Sequence, residues 1–538
     1  MPIPVRPGVS GLDFVTTGTY NDQRGHQPAT ARSGNSPRSR ALTGNDVVKD
    51  TRVTANSDRP GDAGRHARRP FPARARLLGV IAALAAVLLA AGCSSSSSST
   101  GSAAGATASS PAASATAAAG STAASPAGSA APGTDIGLTA TTIKIGMIAD
   151  VDTSLAPGLF QKSVNAVKAW ASIVNASGGL AGRKVVVDFC DSKLDPNATT
   201  NCVIQACQND FALVGTSANA LEDISDVDGC KNAAGKAVGI PDLAAFAFLP
   251  LACDPDTYII GGYGPYCATA KENPQTYTAN IGDARYYTSQ FKGLHGVYVY
   301  DSDVPTLKVD FLPNFQGDEG LGIKADAQGS YAESGSAPQS ALTPVISAIK
   351  ASGSSFVYAG STPQNTILLE REAKLQGANS VKVWACNSGC YDSTFYQQGG
   401  ATVNGTYAQL DDLPFYTEYQ DNPALAALVK QVGGTTNLNN NAVLSYVMTL
   451  LFQDAVQKAT ANGGTLSRAS LFTALKGETS FDAEGVIGPT NVGGHQVSDC
   501  DVITQLVNGQ WQRVYPAKPG TFDCSSGNTK TIKLNVTL

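Results

Sequence analysis

Residues Ile143 to Cys202 read IKIGMIADVDTSLAPGLFQKSVNAVKAWASIVNASGGLAGRKVVVDFCDSKLDPNATTNC, and this stretch decides the fold. The apolar run 143–148 is followed by a polar loop, which predicts a buried strand. Apolar residues then recur at three- and four-residue steps from Phe160 to Val174, which predicts a helix that ends at Gly178-Gly179. The β-branched run 185–189 predicts a second strand. A strand–helix–strand unit requires a parallel sheet, with the ligand site at the carboxyl ends of the strands.

Composition restricts the class of function. The chain has 538 residues, enough for more than one domain, and a formal net charge of −5. After Cys93 there are 25 Lys and Arg against 37 Asp and Glu, a difference of −12. An acidic body argues against nucleic acid as a partner. His295 and His495 are the histidines of that body, so the sequence offers little material for histidine catalysis or a His-rich metal site.

The N-terminal part predicts export. Residues 1–64 are polar and aperiodic, which predicts disorder or a translation start assigned too early. Residues 65–93 predict a signal peptide, because five arginines precede an apolar segment, 77–91, that is too short to favour a membrane-spanning helix. The end of the signal, Leu-Ala-Ala-Gly-Cys, resembles a bacterial lipobox and predicts lipidation of Cys93. The alternative is an ordinary signal peptide with an incidental cysteine. Residues 94–134 are almost wholly Ser, Ala, Gly, Thr and Pro, which predicts a flexible tether.

The alternation of strands and helices continues towards the C-terminus. A second set of strand–helix units opens at Gly296, after a crossover near residues 278–283. Asn508-Gly509 predicts the turn of a terminal hairpin. The predicted strands are 211–215, 236–247, 296–301, 355–359, 381–385, 405–409, 502–506 and 511–515, and the predicted helices are 304–315, 340–352, 366–376, 424–432, 441–461 and 466–475.

The most distinctive marks are an ordered set of small and polar residues after the first helix. They are Asn175, Gly178, Gly179, Gly182 and Arg183, followed by the pair Asp195-Pro196. With the surrounding strand–helix–strand order, they resemble the start of the type I periplasmic solute-binding proteins. The branch concerned is that of the leucine/isoleucine/valine and amide-binding receptors of ABC importers. The resemblance covers roughly residues 141–516, with an apparent insertion between Cys253 and Cys267.

The resemblance implies an α/β fold of two Rossmann-like lobes with parallel sheets, joined by a three-crossover hinge. It implies that residues 135–285 and 416–488 form lobe one. Residues 286–415 and 489–520 would then form lobe two, and residues 521–538 a C-terminal tail.

In such a fold the ligand lies in the cleft between the lobes, against the loops that follow the strands. Thr216 and Ser217 would bind an α-carboxylate, and Ser217 is expected to face Tyr358 across the cleft. Phe246 stands where a threonine is usual, and the acid expected for an ammonium has no clear match near Asn387, although Asp392 is close. Both departures argue against an α-amino acid. The candidate contacts are Asp150, Asp152, Thr153, Thr216, Ser217, Ala244, Ala245, Phe246, Tyr300, Asp301, Tyr358, Ser361 and Asn387.

For each of these residues the alternative is a loop or capping role. Tyr298 alternates with Tyr300 along its strand and is expected to lie in the core.

The cysteines predict disulfides. Of 11 cysteines, ten remain after Cys93, an even number in an exported chain. Ten cysteines allow very many connectivities, and a metal role for Cys386-x-x-x-Cys390 is the weaker alternative. Local pairing suggests Cys190–Cys202, Cys207–Cys230, Cys253–Cys267, Cys386–Cys390 and Cys500–Cys524.

The resemblance implies a lipid-anchored, extracytoplasmic receptor that binds a small polar molecule and delivers it to an ABC permease. We therefore expect no enzyme activity, no cofactor and no metal. One alternative is a ligand sensor of the same fold that signals to a membrane partner. An exported enzyme is opposed by the absence of a Gly-x-Ser-x-Gly elbow and of a His-Glu-x-x-His motif from the sequence.

Overall fold

The computed structural model describes residues 135–153, 156–221, 223–247, 251–260, 264–265, 275–303 and 307–534. The predicted signal peptide, lipidation site and tether lie outside these residues. Within the described part of the chain, no helix is both long enough and apolar enough to cross a membrane.

Strands and helices alternate through most of the described chain. The strands are β1 (Thr142–Ala149), β2 (Lys184–Asp191), β3 (Ala212–Thr216), β4 (Asp242–Ala244), β5 (Thr257–Tyr258), β6 (Gly264–Pro265), β7 (Gln275–Asn280), β8 (His295–Asp301), β9 (Lys324–Glu333), β10 (Phe356–Gly360), β11 (Val383–Cys386), β12 (Tyr407–Leu410), β13 (Val502–Val507), β14 (Gln510–Tyr515) and β15 (Thr529–Leu534). The α-helices are α1 (Gln161–Ala176), α2 (Pro196–Asn209), α3 (Ile224–Asp228), α4 (Gly282–Gln290), α5 (Leu307–Leu321), α6 (Thr343–Ser352), α7 (Pro363–Gln376), α8 (Ser393–Gly399), α9 (Phe415–Glu418), α10 (Pro423–Val432), α11 (Asn440–Thr460) and α12 (Arg468–Lys476).

The first sheet has the order β2-β1-β3-β4-β5 and is parallel throughout. The distinctive residues after α1 build the turn into β2. The Asn175 side chain exchanges two hydrogen bonds of 2.8 Å with the backbone of Val185. Gly179 has a φ of +89°, and a Cβ there would overlap the carbonyl of Arg183. Arg183 Nε donates to the carbonyl of Thr139 at 2.9 Å. These residues therefore fix the turn between α1 and β2.

The second sheet has the order β14-β13-β12-β11-β10-β8-β9. Its strands from β8 to β12 are parallel, and the β13–β14 hairpin extends the sheet in the antiparallel sense. Asn508 and Gly509, with φ of +50° and +82°, form the turn of that hairpin, as predicted. β9 was not predicted from the sequence.

The chain passes between the two sheets three times: between β5 and β8, between β12 and α11, and between α12 and β13. After the second passage α11 packs on α1 and β3 of the first sheet. The Phe452 ring lies 6.1 Å from Trp170 and 6.3 Å from Phe211, centroid to centroid. The predicted fold class, two lobes with three crossovers, is confirmed. Lobe one below means the first sheet with its helices, and lobe two the second sheet with its helices.

A third sheet, of order β15-β7-β6, lies on the first crossover. The segment predicted as a C-terminal tail contributes β15, whose six residues pair antiparallel with β7. A disulfide between Cys500 and Cys524 holds the chain just before this strand to the start of the hairpin. The tail is therefore part of the folded body.

The structure contains four of the five locally paired disulfides. The fifth predicted pair is Cys253–Cys267, and Cys267 lies outside the described residues. The Cys386–Cys390 bridge leaves no thiolate there for a metal, which contradicts the metal alternative. The four bridges are Cys190–Cys202, Cys207–Cys230, Cys386–Cys390 and Cys500–Cys524.

Candidate functional site

A cavity of about 210 Å³ lies where the carboxyl ends of the strands of both sheets meet. Lobe one supplies the loops after β3 and β4 and the start of α1. Lobe two supplies the loops after β8, β10 and β11. The described lining residues are Leu159, Phe160, Asn219, Phe246, Asp301, Phe311, Gly360, Ser361, Thr362, Pro363, Asn387, Ser388, Gly389 and Asn441.

Aromatic rings form the apolar part of the wall. Phe160, immediately before α1, packs against Phe246 with ring centroids 5.0 Å apart. Phe311 on α5 lines the cavity from lobe two. Phe246 therefore occupies the position predicted for it, and it presents a ring where the resemblance implied a hydroxyl. An apolar portion of a ligand would pack against this wall.

Most polar groups of the lining are uncharged, and several lie at the starts of helices. The Thr362 side chain caps α7 by accepting from the N–H of Asn365. Asn365 Nδ2 donates to Ser361 Oγ at 3.0 Å, and Asn387 Nδ2 donates to the Ser361 carbonyl at 2.9 Å. Asn441 lies in the first turn of α11. Helix starts carry partial positive charge, so they favour oxygen-rich groups of a ligand.

Asp301 is the acidic residue of the described lining, and none of these lining residues is basic. Its Oδ1 accepts the N–H groups of Asp303 and Gly335 at 2.9 and 3.0 Å. Burial raises the pKa of Asp301, against the lowering effect of these two hydrogen bonds. Its carboxylate thus already holds the turn after β8, and no described lining residue offers a side-chain cation for a ligand carboxylate.

Four residues of the predicted set line the cavity: Phe246, Asp301, Ser361 and Asn387. Asp152 is exposed, and Thr153, Tyr300, Ala244 and Ala245 lie outside the described lining, the alanines fully buried. In four of the five loops that supply the cavity a predicted residue lies in the lining, and in the loop after β3 the lining residue is Asn219 in place of Thr216 and Ser217.

Asp150 organises the loops of lobe one from within. It is fully buried. Its carboxylate accepts from Ser192 Oγ at 2.6 Å, from the N–H of Leu194 at 2.7 Å and from the N–H of Asn219 at 2.8 Å. Burial raises its pKa, against the lowering effect of these hydrogen bonds. The prediction of ligand contact is corrected: Asp150 positions the loop that carries Asn219.

Thr216 and Ser217 are corrected in the same way, because both hydroxyls are buried inside lobe one. Thr216 Oγ1 donates to Asp242 Oδ1 at 2.6 Å. Ser217 Oγ lies 3.2 Å from Ser445 Oγ on α11. The second crossover brings α11 onto this end of β3, so the two hydroxyls serve packing between strand and helix.

Tyr358 lies in the core of lobe two. The parallel register pairs Tyr358 directly with Tyr298, and the rings stack with centroids 4.9 Å apart. Tyr298 was predicted to be buried, and it is. Residues paired in a parallel register point to the same face, so Tyr358 shares its burial. The predicted pairing of Ser217 with Tyr358 across the cleft is wrong.

Sequence reasoning missed Asn219 and Asn441. Asn219 comes two residues after Ser217, at the tip of a loop that had been recognised. Asn441 follows the Asn439 cap of α11, where a run of asparagines was the available signal. Both side chains are half-buried. Asn219 follows β3 and Asn441 lies on α11, two segments that are distant in sequence and meet only in the folded lobe.

A second cavity, of about 280 Å³, lies between α11 and the 478–484 loop of lobe one. Its lining is largely charged. Lys458 Nζ already contacts Asp454 at 2.7 Å and Glu478 at 2.6 Å. Because this cavity lies on one lobe alone, movement of the lobes would not enclose a ligand there.

Comparison with known proteins agrees with this architecture. A model of the periplasmic binding protein family matches residues 142–268 and 323–510. The structure of a fatty acid ABC transporter substrate-binding protein from Thermomonospora curvata has a TM-score of 0.56 and 18% identity, over 74% of this chain and 99% of its own. The structure of an ABC transporter substrate-binding protein from Aeropyrum pernix has a TM-score of 0.57 and 18% identity, over 72% of this chain and 97% of its own.

A leucine-binding protein from Thermotoga maritima gives a TM-score of 0.52 and 15% identity, over 69% of this chain and 97% of its own. At these identities the likeness shows a shared fold. No curated protein sequence matches the chain.

Proposed function

This chain belongs to the periplasmic binding protein family, and we propose that it captures one small polar molecule between its lobes and delivers it to an ABC permease. The observation that carries the proposal is the cavity whose lining comes from both sheets. The family and the ABC substrate-binding neighbours support a solute-binding role outside the cytoplasm. The disulfides agree with an oxidising compartment.

Binding in this cavity is coupled to the position of the lobes. Asn219 and Phe246 belong to lobe one, whereas Ser361 and Asn387 belong to lobe two. A ligand makes all four contacts only when the lobes are closed. It therefore shifts the open–closed equilibrium by its differential affinity for the closed form. The closed form is the one that a permease would have to distinguish from the empty receptor.

The lining favours a neutral amide or a related small polar molecule over an α-amino acid. No basic side chain among the described lining residues pairs with a carboxylate, and Asp301 is already held by two backbone N–H groups. Asparagine and serine side chains can both donate to and accept from an amide. The rings of Phe160 and Phe246 would cover an apolar substituent.

A thermal-shift screen of amino acids, amides, polyamines, aromatic acids and sugars tests this proposal. We expect an amide-class compound to raise the melting temperature, and calorimetry to give a one-to-one complex. Stabilisation by mass action is about 2.7 kcal/mol at a ligand concentration of 100 Kd. A screen in which charged polyamines alone stabilise the protein would contradict the assigned ligand class.

We further propose that Cys93 is the mature amino terminus and carries the lipid anchor. The support is the lipobox-like sequence and the low-complexity segment that follows it. Mass spectrometry of the membrane-associated protein should find an acylated peptide that begins at Cys93. A free amino terminus at any other residue contradicts the anchor and leaves the solute-binding role untouched.

A further inference from the structure

Three carboxylates meet at the edge of the first sheet opposite to the cavity. They belong to Asp228 at the end of α3 and to Asp254 and Asp256 just before β5. One oxygen of each lies within 4.8 Å of the others. β4 and β5 are parallel, so residues that precede β5 lie at the amino ends of the strands, away from the ligand cavity.

Asp254 has a buried oxygen that no donor among the described residues satisfies. Its side chain is 1% exposed. Oδ1 accepts the N–H of Asp256 at 3.0 Å, and Oδ2 has no hydrogen-bond partner among the described residues. In the same segment Thr257 Oγ1 and Tyr258 Oη are also buried and without a partner in the described part of the chain. Unsatisfied buried oxygens are costly, so a group that accepts electron pairs is expected here.

Lys476 at the end of α12 is a cation near Asp256. One lysine against three carboxylates leaves an excess of negative charge.

Two features hold the carboxylates in place. Cys230, two residues after Asp228, is bonded to Cys207, and Cys253 beside Asp254 is also disulfide-bonded. Gly239, with a φ of +73°, lets the carboxylate of Asp256 lie against the backbone, because a Cβ there would overlap Asp256 Oδ2. Preorganised oxygens lower the cost of collecting ligands around an ion.

We propose that Asp228, Asp254 and Asp256 bind a calcium ion that stabilises lobe one. Ca²⁺ takes carboxylate oxygens at 2.3–2.6 Å in flexible geometry, and ligands of one such ion lie up to about 5 Å apart. Mg²⁺ needs a compact octahedron and gives up its waters reluctantly. This site differs from the expectation of no metal, and it is independent of the solute cavity.

Calorimetric titration of CaCl₂ into the oxidised protein, after dialysis against chelator, tests the site. We expect one ion per chain with a Kd of about 10⁻⁴ to 10⁻³ M, the range of extracellular modules, and weaker binding of MgCl₂. Asp254→Asn keeps the acceptor for the Asp256 N–H and should weaken calcium binding at least about 10-fold, since even outer-shell changes cost about 10- to 100-fold. Asp228→Asn, at an exposed position, should also weaken calcium binding. It tests the site if Asp254→Asn does not fold.

Asp421→Asn is the matched control, because Asp421 is exposed and distant in sequence from the three carboxylates. Calcium should raise the melting temperature of the wild type and of this control and leave that of the two site variants unchanged. No calcium binding in the wild type, equal affinity in all four proteins, or magnesium binding as tight as calcium binding would overturn the proposal.

Discussion

Lys162 and Asp392 join the two lobes beside the cavity. Lys162 Nζ, on α1 of lobe one, donates to Asp392 Oδ2, at the start of α8 in lobe two, over 2.9 Å. The two side chains are 24% and 11% exposed. Asp392, considered above as a partner for a ligand ammonium, is thus already paired with a protein cation. Because its two partners lie on different lobes, we expect this ion pair to form when the lobes close.

Lys162→Met should therefore weaken solute binding without much change in the stability of the empty protein. The change removes one partly exposed ion pair from the closed form, which is worth about 0.5–1.5 kcal/mol, or about 2- to 13-fold in affinity. Calorimetry with the ligand from the screen measures it. Lys168→Met, on the same helix but over the ring of Phe189, is the control. Equal affinities in both variants would mean that the pair does not support closure.

Asn219→Ala and Asn441→Ala should each weaken the ligand complex by about 0.5–1.5 kcal/mol, the value of one hydrogen bond. The measurement is calorimetric titration, with the melting temperature of the empty protein as a check on folding. Ser217→Ala is the informative control, because its hydroxyl contacts Ser445 inside lobe one. It should leave ligand affinity unchanged. The opposite pattern, loss in Ser217→Ala alone, would restore the site predicted from sequence.

Tyr358→Ala should destabilise the empty protein by about 3–5 kcal/mol, the usual cost of removing a buried aromatic ring. The loss arises because the ring stacks on Tyr298 and lies 5.6 Å from Phe311, centroid to centroid. Denaturant unfolding measures it. Phe246→Ala removes a ring that lines the cavity and should cost much less stability. Equal stability of Tyr358→Ala and wild type would place Tyr358 outside the core.

Glu370 should make the protein less stable as pH rises. It is buried, and burial raises its pKa from 4.5 to about 8, against the lowering effect of its hydrogen bond from Thr406. Above pH 4.5 the unfolded chain loses this proton, whereas the folded chain keeps it to about pH 8. The free energy of unfolding therefore falls between these pH values.

Glu370→Gln keeps an acceptor for Thr406 and removes the ionisation. It should be more stable than wild type at pH 8, by on the order of a few kcal/mol, and similar at pH 4.5. Unfolding at both pH values measures the difference. Exposed Glu319→Gln controls for net charge. A variant that is no more stable than this control at pH 8 would contradict the account.

Sequence could predict the elements because they depend on local pattern. Asn175 and Arg183 are recognisable in the sequence and form the contacts of the turn between α1 and β2. The Asn508-Gly509 turn follows from the preference of those residues for positive φ. β15 was missed because only its end, Ile532-Lys533-Leu534, alternates apolar and polar residues and its partner β7 lies some 250 residues earlier.

The site was harder, because its geometry depends on contacts distant in sequence. Ser217 lies outside the cavity lining because its hydroxyl contacts Ser445, and Ser445 lies on a helix that returns to lobe one only after the second crossover. Tyr358 lies in the core because the parallel register pairs it with the buried Tyr298. The alternation of residues within a single strand does not show this pairing. Loop positions follow from topology, whereas the direction of each side chain follows from packing.

The central claim is that a solute binds between the lobes, and a crystal structure of the protein with the ligand from the screen tests it most directly. We expect the ligand between Phe246 and Asn387, in contact with Asn219 and Ser361, with Lys162 and Asp392 paired beside it. A ligand bound instead in the charged cavity between α11 and the 478–484 loop, or in contact with one lobe alone, would contradict the claim.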